Sequence, residues 1–67
     1  MIKQVCENFN VEYTSHVAHM GIKDFFDYMV ASGYDLFVVA FTYYKALGFS
    51  DRLAVIKANT AVAGDPL

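Results

Sequence analysis

Three side chains near the N-terminus have the types and spacing of a metal site. Glu12, His16 and His19 stand at i, i+4 and i+7, so a continuous helix would carry all three on one face. A His-x-x-His pair with a carboxylate one turn earlier is a set that Zn2+ accepts. The set stops at three ligands, and zinc enzymes carry richer motifs. The residues are therefore read as ordinary surface groups, and no metal or other cofactor is expected. Cys6 is the one cysteine. The sequence places no base or cation to draw out its thiolate, so it reads as a small buried hydrophobe. No Ser/His/Asp spacing, glycine-rich phosphate loop or paired-carboxylate arrangement is readable. Asp24 and Asp27 read as a solvated helix start, and Tyr13, Tyr28, Tyr34, Tyr43 and Tyr44 as packing residues rather than acids. No catalytic activity is expected, since 67 residues leave little from which to build a preorganised pocket.

The elements that must position these residues are punctuated by Gly21, Gly33, Gly48 and Gly64, with the single proline at position 66. Ile2, Val5, Cys6 and Phe9 have helical spacing, while Val11 and Tyr13 alternate with polar residues. The N-terminal part is thus a short helix or extended segment, and Thr14 or Ser15 could cap a turn through His16–Met20. Ile22, Phe25, Phe26, Met29 and Val30 form an amphipathic stripe closed by Gly33. Asp35 is a good N-cap for the apolar run Leu36–Leu47, whose length favours helix over a buried strand. In that run Val38, Thr42 and Lys45 share one narrow sector and the rest is apolar or aromatic, so the helix is expected to be buried nearly all round. Ser50 caps a last helix carrying two stripes, Leu53, Ile56 and Thr60 beside the small residues Ala54, Ala58 and Ala61, and ending at Gly64-Asp65-Pro66. The fold class is all-α: one small domain over residues 1–67, a bundle of three helices at about 22–32, 35–47 and 51–62 completed by dimerisation.

Composition narrows the functional classes. The chain is 57% hydrophobic and only 18% charged, which excludes disorder. One cysteine excludes a disulfide scaffold, and seven acids against five bases exclude a nucleic-acid-coating tail. The sequence starts with no basic stretch followed by an apolar one, so no secretory signal is read and a cytoplasmic location is expected. The longest apolar run, Leu36–Leu47, is too short to span a bilayer, which takes about 20 residues.

One stretch resembles a known motif. Tyr44-Lys45-Ala46-Leu47-Gly48-Phe49-Ser50, a helix end, a glycine turn and a helix start, resembles the core of the helix-turn-helix family of DNA-binding regulators. Four residues before the turn glycine that family usually has a small residue, where this chain has Tyr44. The would-be recognition helix offers only Arg52 and Lys57, with Asp51 at its tip, and the net charge is −2. Displacing counterions from nucleic acid needs a basic footprint, so nucleic acid is not the expected partner.

A domain of about 60 residues buries only about 60% of the surface its unfolded chain exposes. Helix 35–47 accordingly has more apolar circumference than its neighbours can cover. A homodimer is expected through Leu36, Phe37, Ala40, Phe41, Tyr43, Tyr44 and Leu47. Thr42, Tyr43, Lys45 and Arg52 beside it combine Tyr and Arg, types enriched in binding hot spots, and form the expected partner surface. The function read from these features is a non-enzymatic module that binds a regulatory protein and inhibits or redirects it. By size and style alone the chain looks like phage- or mobile-element-encoded inhibitors of host regulators. The alternatives are a helix-turn-helix-like transcriptional regulator and a small subunit or assembly factor of a larger complex.

Overall fold

The computed structural model describes residues 1–64, so the expected helix stop at Asp65 and Pro66 lies outside the described residues. The described chain is all-helical: α1 Ile2–Phe9, α2 Ser15–Ala18, α3 Ile22–Ala31, α4 Leu36–Ala46 and α5 Asp51–Val62. The last three fall within a residue of the ranges expected from periodicity. The N-terminal stretch takes the helical reading, in two pieces. It holds a helix over Ile2–Phe9, non-helical backbone through Thr14, and one short turn after it.

The ends of the helices follow from local chemistry. Thr14, Asp35 and Ser50 each accept a hydrogen bond from the amide three residues on, at 3.2, 3.1 and 3.3 Å. Each such cap is worth about 1 kcal/mol over alanine. Asn10, Gly33 and Gly48 terminate α1, α3 and α4 at φ 58°, 101° and 100°. After each, the next amide reaches back to a carbonyl five residues earlier: Val11 to Cys6, Tyr34 to Met29 and Phe49 to Tyr44. These bonds satisfy carbonyls that the helix end would otherwise leave without partners. The apolar contact that accompanies this motif is visible in Phe49, whose ring meets Tyr44 edge-on at 6.0 Å.

The helices pack around α4, with α1, α3 and α5 each laid against it. The expected three helices are thus part of a five-helix arrangement, and α1 supplies core that their bundle would lack. Val5 and Cys6 are fully buried, together with Val17, Phe25, Met29, Val39, Ala40, Ala54 and Ala58. Tyr34 ties the α3–α4 corner to the end of α1: its hydroxyl donates to the Phe9 carbonyl at 3.3 Å and its ring meets Phe9 edge-on at 5.2 Å. The single chain exposes 4272 Å2, against about 4250 Å2 expected for a compact monomer of 7.5 kDa. It reaches the compactness of its size class without a second copy.

On α5 the alanine stripe wins the core. Ala54 and Ala58 are fully buried against α4, whereas Leu53 and Ile56 remain 46% and 50% exposed. Small residues let two helices approach closely, and the buried Tyr44 ring of α4 already lies under Lys57 of α5. No helix among the described residues is long and apolar enough to cross a membrane.

Candidate interaction surface

The α4–α5 corner is the most heavily tied part of the surface. Gly48 turns the chain, and Lys45 then bridges it, its Nζ lying 2.7 Å from the Asp51 carboxylate and donating to the Phe49 carbonyl at 3.2 Å. Beneath the turn, Lys57 lies over the Phe49 ring at 5.0 Å and the Tyr44 ring at 5.8 Å, a cation–π arrangement that covers both aromatic faces. Of the two bases on α5, Lys57 is therefore folded inward. Arg52 is exposed and has no ion-pair partner among the described residues.

The expected dimer residues divide. Leu36, Phe37, Phe41 and Tyr43 are half-buried and Leu47 is exposed. Ala40 and Tyr44 are spent inside the single chain, at 0% and 9% exposure, and have almost no surface to offer a second copy. The reason is that α4 has helices on several sides, where a hairpin with one neighbour would have left one face open. Phe37 and Phe41 stack at 6.3 Å, and Tyr43 meets Phe26 and Tyr44 edge-on at 5.6 and 5.3 Å. Burial, with the neighbouring Tyr43 second, pushes the Tyr44 phenol above its ordinary range.

The expected partner residues also differ in freedom. Thr42 donates its hydroxyl to the Val38 carbonyl at 2.8 Å, Lys45 is engaged in the corner, and Arg52 extends into solvent. The polar sector read on α4 is present, with Val38 and Lys45 exposed and Thr42 half-buried.

A second surface escaped the sequence reading. The outer side of α5 carries Leu53, Val55, Ile56 and Val62 at 39–51% exposure. The signal for it was in the sequence: if the alanine stripe faces α4, the adjacent large-residue stripe faces away. The three candidate metal ligands do not assemble. Glu12 lies in the non-helical segment ahead of α2, which removes it from the helical face of the histidines, and His19 places its Nδ1 2.7 Å from the Ser15 carbonyl. Among the described residues no group of three or more His, Cys, Asp or Glu is arranged to hold a metal. The Cys6 thiol is buried, and burial pushes it up from its ordinary value of 9.0, away from the reactive thiolate. No protein-family model, curated protein or solved structure matches this chain.

Proposed function

We propose that the chain is a non-enzymatic protein-interaction module: a small cytoplasmic homodimer that binds a regulatory protein and inhibits or redirects it. The observation that carries this reading is Arg52 at the start of α5, an exposed guanidinium with no ion-pair partner among the described residues. Arginine is among the residue types enriched in binding hot spots. Dimerisation would complete the helical packing by covering apolar surface that the single chain leaves open. The lone thiol, with no second cysteine to pair with, suits a reducing compartment.

The test is affinity capture from cells that express the chain, comparing it with its Arg52→Ala variant. The expected result is a regulatory protein that co-purifies stoichiometrically and is lost with Arg52→Ala while the melting temperature stays unchanged. Retention of that protein by the variant, or no retained protein with either chain, overturns the reading.

A further inference from the structure

We propose that the outer face of α5 pairs with the same face of a second copy, antiparallel about a twofold axis passing between Lys57 and Ala58. The proposal rests on the self-association in the reading above and moves its surface from α4 to α5.

Charge argues for a second copy as the occupant. The chain carries a net charge of −2, so two copies repel through their acids. Six of the seven acids stand on α1, on the 10–14 segment, on α3 and at the N-terminal ends of α4 and α5, and the seventh, Asp65, lies outside the described residues. Residues 53–64 contain none, and their only charge, Lys57, is folded over Tyr44 and Phe49. Along residues 53–64 two copies meet without opposing carboxylates.

Charge also sets the direction. A parallel pair would hold the two Arg52 guanidiniums side by side. An antiparallel pair separates them by eleven residues of helix, about 16 Å, beyond the roughly 10 Å over which exposed charges act at 0.1 M salt. The pattern fits its own inverse. With the axis so placed, Val55 meets the partner's Val62, Leu53 meets the partner's Thr60, and Ile56 meets the partner's Asn59. Thr60 brings no unsatisfied hydroxyl to that contact, because its Oγ1 already donates to the Ile56 carbonyl at 3.1 Å. The two Asn59 amides come to either side of the axis, where a paired polar group fixes register.

Area sets the strength. A stable standard-size interface buries about 800 Å2 per partner, roughly a fifth of the 4272 Å2 this chain exposes. One face of a 12-residue helix is smaller than that, so the pair is reversible and forms between folded monomers at micromolar or higher concentration.

The experiment is sedimentation velocity on the full chain from about 1 μM to about 500 μM, a range that brackets micromolar dissociation constants. Ile56→Asp and Thr42→Asp serve as paired variants, with circular dichroism to confirm that both fold. Both side chains lie at the surface, Ile56 half-exposed and Thr42 half-buried. The expected result is a concentration-dependent dimer whose dissociation constant rises at least about tenfold with Ile56→Asp and stays within about twofold with Thr42→Asp. A dimer that Ile56→Asp leaves intact overturns the α5 assignment alone and leaves self-association standing. A monomer throughout overturns both. Direction is read by mild oxidation of variants that each carry one added cysteine, Cys6 staying silent because it is fully buried. Asn59→Cys is expected to cross-link, its two copies lying about 4.5 Å apart along the axis, and Ala63→Cys is not, at about 16 Å. Efficient cross-linking at position 63 overturns the antiparallel arrangement.

Discussion

Two glycine substitutions of the same size should move stability in opposite directions. Gly48 sits at φ 100°, and Gly21, the N-cap of α3, at φ −71° and ψ 167°. A β-carbon built on either residue meets nothing within 4 Å, so packing contributes to neither outcome. At Gly48 an L side chain in the left-handed region costs about 1–2 kcal/mol. The narrower unfolded ensemble returns about 0.4–1 kcal/mol of that, leaving a net loss of about 1 kcal/mol for Gly48→Ala. At Gly21 the conformation is the extended one that Thr14, Asp35 and Ser50 adopt as caps. Gly21→Ser keeps the same entropic gain and adds a capping hydroxyl worth a few tenths of a kcal/mol, so it should stabilise by about 1 kcal/mol. In a domain of this size 1 kcal/mol moves the melting temperature by about 4–8 °C. The assay is thermal unfolding followed by far-UV circular dichroism, at one low concentration so that association does not contribute. The expected order is Gly21→Ser above the parent and Gly48→Ala below it. Gly48→Asn should fall between Gly48→Ala and the parent, because asparagine tolerates the left-handed region, as Asn10 does here at φ 58°. A Gly48→Ala variant as stable as the parent, or a Gly21→Ser variant less stable, would refute the reasoning that φ alone sets the sign.

Two further outcomes test the core. Burial raises the Cys6 thiol in the folded state above its ordinary 9.0, so the unfolded chain loses that proton first. The stability this contributes is complete below pH 9 and is lost as pH rises through the folded value; denaturant titrations from pH 8 upward should show a steeper decline for the parent than for Cys6→Ala, and equal slopes would remove Cys6 from the account. Ala58 is fully buried at the contact of α5 with α4, so Ala58→Leu should overpack it and cost about 1–3 kcal/mol, whereas Ile56→Leu on the outer face should change the melting temperature by little; a neutral Ala58→Leu would mean that the two stripes of α5 are exchanged.

Much of the local structure was legible in the residues. Asp35 and Ser50 announce the starts of α4 and α5, and Gly33 and Gly48 the ends of α3 and α4, because capping and left-handed termini depend on a few neighbouring groups. The polar sector of Val38, Thr42 and Lys45 on α4 was legible for the same reason, being fixed by helical period alone. The candidate site was less so. Helical period alone leaves Tyr44 and Ala40 open to a second copy, whereas α1, α3 and α5 all pack against α4 and both residues are buried. The helical face assumed for Glu12, His16 and His19 failed because α2 starts only at Ser15, after the chain has left α1 through Asn10.

The sequence by itself determined that this chain is helical, where its last three helices begin and end, and that it has more apolar side chains than a core of this size takes in. The tertiary structure decided where the excess lies. On α5 the stripes Leu53–Ile56–Thr60 and Ala54–Ala58–Ala61 both satisfy the helical period, so periodicity cannot choose between them. Close packing chooses: with Tyr44 and Phe49 already filling the space beside α4, and Lys57 laid over their rings, only the alanine face comes near enough. The larger aliphatic side chains are left pointing outward.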